Sequence, residues 1–419
     1  MLSTHQKQIC AVKLPNPVHR LPFIEFITLM ALTTSLVALS IDAMIPALPD
    51  IGQALNVEDS NDNQLVIAMV FLGMAVGQIF FGPFSDSYGR KPSLYLSLAV
   101  FVVGCLLSAT ATNFTVMLVG RLLQGIGASG PRVVPMALIR DEYEGRGMAR
   151  IMSLIMMVFI LVPMLAPMFG QLIVYLSNWR GIFYSFLLMA MMLSLWFAFR
   201  QPETLAPEKR KPFTLKVILN GIKEVLKTRK AFGYTLSVGV ASGPFLAYLS
   251  TAQPILEEQY GLGATFTIYF AVLALSIGIA SFVNSKMVIK YGMRFLSHYA
   301  LTVIIVISVL FLLLMFFMRS EPPLMFFMGY LIITLFSMGI IFGNMNALAM
   351  EPLGHIAGLG AAVVGSLSTL ISVPIGIVIG QAYQQSVMPL VVGFLLCTLI
   401  ALALMFWAEK GATEPVSGS

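Results

Sequence analysis

The segment Gly82-Pro83-Phe84-Ser85-Asp86-Ser87-Tyr88-Gly89-Arg90-Lys91-Pro92 is a short charged turn between two long apolar stretches. Its central part returns as Tyr291-Gly292-Met293-Arg294, a turn of the same rank in the second half of the chain. Glycine at this place permits the positive φ that a tight turn between two membrane spans requires. Equal rank on one side of a membrane indicates parallel repeats related by an axis along the membrane normal. The repeated turn therefore predicts that the chain consists of two equivalent halves.

The composition is that of a polytopic membrane protein. Of the 419 residues 58% are hydrophobic and 11% are charged, and the mean hydropathy is +0.89. A window of roughly 20 residues, the length that spans a bilayer, finds about twelve apolar stretches. They are predicted near 23–48, 64–84, 93–111, 114–138, 151–176, 181–199, 231–252, 265–287, 296–318, 324–347, 358–383 and 388–408. We expect an all-α membrane protein with twelve transmembrane helices in two pseudo-symmetric six-helix bundles.

The positions of lysine and arginine predict the orientation, because cytoplasmic loops retain basic residues. With a cytoplasmic N-terminus, 21 of the 25 basic residues lie in inside segments. Both termini are therefore expected in the cytoplasm, and the net charge of +6 reflects topology and not a nucleic-acid partner. The predicted organisation is a tail (1–22), a first bundle (23–199), a cytoplasmic linker (200–230), a second bundle (231–408) and a second tail (409–419).

The cysteines and histidines argue against several classes of protein. Cys10, Cys105 and Cys397 are isolated, so neither a disulfide framework nor a metal site is expected. Histidine, cysteine and serine show no catalytic spacing at any loop, so an enzyme and a bound cofactor are not expected either. A membrane receptor or scaffold would need neither two equivalent halves nor an acid inside an apolar span.

Three charged residues lie inside apolar spans: Asp42 in the first, and Arg121 and Arg132 in the fourth. Such residues are costly in a bilayer, so function is the default interpretation. Arg121 lies roughly 12 Å from the outer end of its span and Asp42 lies at a similar depth, so the two are expected to face one another. A carboxylate whose proton affinity changes when its partner or its water changes is suited to proton coupling. The alternative is a static buried salt bridge that fixes helix register.

The remaining polar residues at membrane depth are weaker candidates. Arg132 follows Arg121 by 11 residues and therefore shares its helix face, either lining a central cavity or extending to the lipid headgroups. The other predicted substrate-binding residues are Gln124, Tyr248, Gln253, Asn344 and Asn346, and the last four alternatively bond across helices.

Five motifs resemble a known family. Residues 82–92 look like the major facilitator signature G-x-x-x-D-R-x-G-R-R/K, with Ser87 in place of its first arginine, and residues 121–128 look like the R-x-x-Q-G-x-G-A motif of proton-coupled members. Residues 40–49, 139–141 and 351–358 look like the bicyclomycin and chloramphenicol resistance group of 12-span drug:proton antiporters. The resemblance covers the chain from about residue 23 to residue 408.

The resemblance implies proton-coupled efflux of small, mostly apolar compounds of the chloramphenicol or bicyclomycin type. It implies a monomer that works by alternating-access antiport in the bacterial inner membrane. The expected gating residues are Gly82, Asp86, Gly89 and Arg90 in the signature turn and Pro163, Pro167 and Gly170 in the fifth span. One aspartate against two arginines leaves the interior positive, so a dedicated exporter of an anionic metabolite such as a carboxylate siderophore is the alternative.

Overall fold

The computed structural model describes residues 21–143, 145–210 and 212–410, and the predicted tail residues 1–20 and 411–419 lie outside the described part. Twelve helices of 20 to 32 residues form the framework within these ranges. They are α1 (Phe23–Asp42), α2 (Leu65–Tyr88), α3 (Arg90–Ala109), α4 (Phe114–Glu142), α5 (Gly145–Leu176), α6 (Trp179–Arg200), α7 (Arg229–Gln253), α8 (Phe266–Tyr291), α9 (Met293–Met318), α10 (Leu324–Met350), α11 (Ala357–Gln381) and α12 (Met388–Glu409).

Length and composition together identify eight described segments that are apolar enough to cross a membrane. One of them, Leu324–Gln381, contains both α10 and α11. Helices α4 and α7 are long enough but carry too many small and polar residues to qualify on hydropathy. Nearly every residue of α7 is buried or half-buried inside the protein, so this helix has little need of a lipid-compatible surface. The all-helical membrane fold is confirmed, and the count of twelve spans stays a prediction.

Close glycine contacts place α4 at the centre of the first bundle. A Cβ on Gly73 of α2 would collide with the carbonyl oxygen of Leu122, and one on Gly125 would collide with that of Val70. Helix α3 approaches α4 in the same way, at Gly104. Small residues let helix backbones approach this closely in membrane proteins. The tight packing of α2 and α3 on α4 leaves the third side of α4 facing α1.

The two bundles meet along α2 with α11 and along α5 with α8. In the middle of the first contact, Ala68 of α2 packs with Leu246 of α7 and Val373 of α11. The second bundle is arranged around α7, which packs against α10, α11 and α12. Helices α2 and α5 of the first bundle and α11 and α8 of the second therefore carry most of the contact between the halves.

The two echoing turns have the same backbone geometry. Gly89 separates α2 from α3 with φ 113° and ψ 164°, and Gly292 separates α8 from α9 with φ 79° and ψ 156°. Both conformations lie in a region that only glycine adopts without strain. The structure thus places equivalent turns at equivalent ranks, as the repeat in the sequence predicts. We call the side of the molecule that carries these turns the linker side, and the opposite side, with residues 43–64, the far side.

A linker helix, Leu215–Lys227, connects the two bundles and is capped by the Thr214 side chain. Ile218 is buried, and Gly221 packs against Leu359 near the start of α11. Just before the helix, Phe213 lies edge-on to Phe84 of α2, with ring centroids 5.9 Å apart. The linker helix therefore rests on both halves of the protein.

Candidate functional site: a polar pathway between the two halves

Arg121 is fully buried and is held by three hydrogen bonds. Its Nη2 donates to the Ser40 carbonyl oxygen at 2.9 Å, its Nε to the Val66 carbonyl oxygen at 2.9 Å and its Nη1 to Gln124 Oε1 at 2.6 Å. Among the described residues no ion pair joins Arg121 to Asp42, so the static salt bridge considered from the sequence is not formed. Arg121 instead fastens α4 to the backbones of α1 and α2.

Gln124 extends this buried network. Its Nε2 donates to the Cys105 thiol at 3.2 Å, and the whole side chain is inaccessible to solvent. The Phe183 ring of α6 lies 5.9 Å from the Arg121 guanidinium carbon. The motif residues Arg121 and Gln124 are thus placed among helices, where they order the structure around Asp42.

Asp42 ends α1 at the boundary between the two halves and is only 5% exposed. In residues 21–143, 145–210 and 212–410 its carboxylate has neither an ion pair nor a hydrogen bond. The hydroxyl of Tyr248 in α7 lies within electrostatic range of the carboxylate. Glu25, the other acid of α1, forms a bidentate ion pair with Arg200 at 2.7 Å. Asp42 is therefore the acid of α1 that is available to bind a proton or a substrate.

Tyr248 faces Asp42 from the other bundle. Its ring stacks on Phe270 with centroids 5.9 Å apart and lies near Phe245, which in turn contacts Phe342 edge-on at 5.3 Å. The Tyr248 hydroxyl is buried and has no hydrogen-bond partner in the described chain. A buried polar group without a partner costs about 1 to 3 kcal/mol, so this hydroxyl is suited to binding a group that arrives with the substrate.

Arg132 is exposed although it lies on the buried face of α4. On the same face, Ala128 and Ile139 are fully buried. The lipid-facing direction of α4 is marked by Val119, which is 48% exposed and lies about 140° around the helix from Arg132. An accessible side chain on the inner face borders an internal space. This geometry favours the cavity over the headgroups for Arg132.

Three of the predicted cavity residues of the second bundle have other partners. Gln253 Nε2 donates to Glu257 and Glu258 at 3.0 and 3.1 Å. Asn344 exchanges two amide hydrogen bonds with Asn284 of α8, at 2.8 and 2.9 Å. Asn346 donates to the Phe342 carbonyl of its own helix at 2.7 Å. All three side chains bond within the second bundle, but only Asn344 bonds across helices as the alternative interpretation held, and none of these bonds reaches Asp42.

The signature turn forms a charge network on the linker side. Arg90 Nη1 donates to Asp86 at 2.6 Å and Arg90 Nε donates to Asp141 at 2.7 Å. The Glu203 carboxylate accepts from the backbone N–H groups of Arg90 and Lys91, both at 3.0 Å. Glu203 therefore caps the N-terminus of α3, where a negative charge is favourable.

Asp86 also reaches the second bundle. Its Oδ2 would lie 3.5 Å from a Cβ on Gly358, in the first turn of α11, and a Cβ on Gly82 would lie 3.2 Å from Ala362. A carboxylate beside the N-terminus of a helix is stabilised by the helix dipole. The two bundles are closed against each other here, at the predicted gate.

The predicted bend of the fifth span lies next to Asp42. Pro163 and Pro167 both fall inside α5. Gly170 follows one turn later, and a Cβ on it would collide with the Ala43 carbonyl oxygen. The glycine therefore allows α5 to touch the end of α1 beside Asp42, and α5 also packs on α8 of the other bundle.

The far side has a second contact between the bundles, which the sequence analysis missed. Asn61 Nδ2 donates to the Tyr383 carbonyl oxygen at 2.9 Å, Gln64 Nε2 donates to that of Gly380 at 3.1 Å, and Gln381 Nε2 donates to Asp62 at 3.1 Å. Most of the acceptors are backbone carbonyl oxygens at the C-terminus of α11, which a sequence does not reveal. The amide side chains before α2 are the part of this contact that the sequence shows.

The far side also carries a group of neighbouring acids. Burial and the neighbouring carboxylates of Glu258 and Asp50 raise the pKa of Glu257 above its ordinary value. This carboxyl lies in the turn after α7, beside the amide of Gln253.

Comparison with known proteins identifies the fold family. Residues 30–377 match the model of the Major Facilitator Superfamily. The chain belongs to this superfamily. As a major facilitator protein it is a multi-pass membrane transporter of small molecules.

Relatives of this major facilitator protein include bacterial transporters and resistance proteins. It is 30% identical over 347 residues to the MFS-type transporter YdgK of Bacillus subtilis, which covers 82% of this chain and 85% of the relative. It is 27% identical to a bicyclomycin resistance protein homolog of Haemophilus influenzae, over 90% of this chain and 94% of the relative. It is 28% identical to the multidrug resistance protein MdtL of Citrobacter koseri, over 89% and 93%.

Solved structures agree on the fold. The human organic anion transporter MFSD10 superposes with a TM-score of 0.68 at 19% identity, covering 93% of this chain and all of that one. The xylose transporter XylE from E. coli, in a partially occluded inward-open conformation, superposes with a TM-score of 0.71 at 12% identity, covering 91% and 97%. At these identities the likeness concerns the fold alone.

Proposed function

We propose that the protein exports small, mostly apolar compounds across the bacterial inner membrane in exchange for protons. The observation that carries this proposal is Asp42, a buried carboxylate without an ion-pair or hydrogen-bond partner in the described chain, at the junction of the two bundles. The names of the relatives, multidrug and bicyclomycin resistance proteins, support drug efflux. The excess of basic residues on the linker side supports a cytoplasmic location for that side and for both termini.

The proposed cycle uses the contacts at the two ends of α11. On the linker side Asp86 lies beside the N-terminus of α11, and on the far side Asn61 and Gln64 donate to its C-terminal carbonyl groups. Alternating access requires these two sets of contacts to break in turn. Asp42, between them, takes up a proton when the far side opens and releases it when substrate binds from the linker side. Arg121 holds the backbone of α1 in place during this exchange and is expected to act through that backbone.

A second candidate is a dedicated exporter of an anionic metabolite, such as a carboxylate siderophore. Arg132 favours it, because this arginine is accessible on an inner helix face and pairs with no acid in the described residues. Both candidates use the same fold and the same carboxylate, and they differ in the charge of the compound that is carried.

The test is substrate-triggered proton movement in proteoliposomes with an imposed pH gradient. The native protein is compared with Asp42→Asn, using chloramphenicol, a cationic dye and a carboxylate siderophore. We expect chloramphenicol to release protons from the native protein and Asp42→Asn to abolish the signal. Asp50→Asn is the matched control, since Asp50 lies on the exposed surface of the far side.

Three outcomes decide between the candidates. Proton release by the neutral drug or the dye that depends on Asp42 supports the drug exporter. Release by the siderophore alone supports the metabolite exporter. Undiminished release from Asp42→Asn refutes both versions of the coupling.

A further inference from the structure

Arg132 is a cation that the fold leaves accessible at a place where lipid does not reach. It shares the inner face of α4 with the buried residues Ala128, Ser129 and Ile139. A helical side chain leans toward the N-terminus of its helix. For α4 that direction leads away from the Glu142 end, where the headgroups of the linker side would lie. The guanidinium therefore points into the interior of the transporter.

Three acids toward the linker side are bound to other arginines. Asp86 and Asp141 both bind Arg90, at 2.6 and 2.7 Å, and Glu25 binds Arg200. Across the described ranges Arg132 has no ion pair and no hydrogen bond. An unpaired charge at membrane depth is costly, and such residues commonly mark the path of a substrate.

Asp42 is too far along the helix axis to neutralise Arg132. Arg121 touches Ser40, two residues before Asp42, at 2.9 Å. Arg132 follows Arg121 by 11 residues, or roughly 16 Å at the helical rise. Within the part of the chain that the structure describes, the interior thus presents Asp42 as a free anion near the far side and Arg132 as a free cation nearer the linker side. Aromatic side chains lie at the Asp42 end, where Tyr248 stacks on Phe270.

We infer that Arg132 binds an acidic group of the transported compound, a carboxylate or a phenolate, and so selects organic anions over cations of equal size. A guanidinium binds a carboxylate through two parallel hydrogen bonds, which a lysine ammonium does not reproduce. The apolar part of such an anion extends toward the aromatic side chains of α7 and α8. This inference rests on the second candidate of the proposed function, the exporter of anions, and it names the class of compound that the site prefers.

The test is equilibrium binding to the purified full-length protein in detergent, measured by fluorescence anisotropy. Carboxyfluorescein and rhodamine 123 share a xanthene ring system and carry opposite charges. We expect native protein to bind carboxyfluorescein more tightly than rhodamine 123. Arg132→Gln should weaken carboxyfluorescein binding at least tenfold, Arg132→Lys should restore part of it, and neither change should weaken rhodamine 123 binding.

Arg140→Gln is the matched control, because Arg140 is exposed on the same helix two turns further toward the linker side. It should leave the binding of both dyes unchanged. The thermal unfolding temperature of each variant separates a binding effect from a folding effect.

Three results would overturn the inference. In the first, the native protein does not bind the anionic dye more tightly than the cationic one. In the second, Arg132→Gln keeps its affinity for the anionic dye. In the third, Arg132→Gln loses affinity for both dyes equally and unfolds at a lower temperature. Binding needs no proton gradient. Undiminished proton release from Asp42→Asn with Arg132-dependent binding intact would therefore refute the antiport proposal and leave this inference standing.

Discussion

The turns at Gly89 and Gly292 share a backbone conformation but have different surroundings. A Cβ on Gly89 would lie 2.6 Å from the Glu203 carboxylate, whereas nothing lies within 4 Å of the same position on Gly292. The repeat in the sequence thus preserves the path of the chain and not the chemistry around it. A turn that only connects two helices needs glycine and little else.

The difference continues in the charged residues. Arg90 is 5% exposed and binds Asp86 and Asp141. At the equivalent positions of the second turn stand Met293 for Arg90 and Ile289 for Asp86, and Ile289 is 88% exposed. The first turn therefore fixes the position of Asp86 against α11, and the second turn has an uncharged residue at both of these equivalent positions. This asymmetry fits a gate in which the charged residues belong to the first bundle and contact α11 of the second bundle.

The largest expected difference follows from removing Arg90. Arg90→Ala leaves Asp86 and Asp141 without their cation. This should lower the free energy of unfolding by about 3 kcal/mol, because removing one member of a buried ion pair leaves the other charge uncompensated. Met293→Ala should cost less than about 1 kcal/mol. Thermal unfolding can be followed with a thiol-reactive dye in a Cys10→Ser background, because Cys105 and Cys397 are buried until the protein unfolds. Equal shifts for the two variants would contradict the asymmetry.

The two glycines should differ by a smaller amount. Alanine at either position enters a backbone region that costs about 1 kcal/mol or more. At Gly89 the new methyl group also displaces Glu203, which caps the backbone N–H groups of Arg90 and Lys91. We expect Gly89→Ala to cost about 2 kcal/mol and Gly292→Ala about 1 kcal/mol, measured by the same assay. A larger effect at Gly292 would show that the open turn carries strain that its surroundings do not reveal.

Glu203 gives the third test. Glu203→Gln keeps an oxygen acceptor for the end of α3 but removes the negative charge, so a loss of about 1 kcal/mol is expected. Glu208→Gln in the same linker serves as the control, because Glu208 is exposed and makes no side-chain hydrogen bond within the described chain. The measurement is the unfolding temperature at low and high salt. Equal changes in unfolding temperature for the two variants would show that the Glu203 charge does not stabilise the end of α3.

The sequence predicted the framework well because its signals are local. Apolar length, basic loops and the repeated glycine turn each depend on neighbouring residues, and the family motifs indicated the major facilitator fold that the structure and the comparisons confirm. Asp42 and Arg132 were recognisable because charge is rare at membrane depth.

The contacts of the site were harder to predict. Arg121 was expected to face Asp42, but it binds the carbonyl oxygens of Ser40 and Val66, and a backbone acceptor leaves no mark in a sequence. Glu203 caps a helix that begins 113 residues earlier, so its role depends on tertiary structure. Gln253 and Asn344 found partners inside their own bundle, because amides bond equally well to a neighbouring helix and to a ligand.

The smallest expected effect comes from giving the second turn the charges of the first. In the native protein Asp86 and Arg90 pair at 2.6 Å across Gly89, and Ile289→Asp with Met293→Arg would place the same two residues across Gly292. A double-mutant cycle should find a coupling of only about 0.5 kcal/mol, because exposed pairs in high dielectric contribute little. High salt should reduce it further. A coupling of about 2 kcal/mol would instead mean that the turn geometry alone makes the pair strong. The small value would mean that the Asp86–Arg90 pair is strong because it is buried and because Asp141 and Glu203 also bind Arg90.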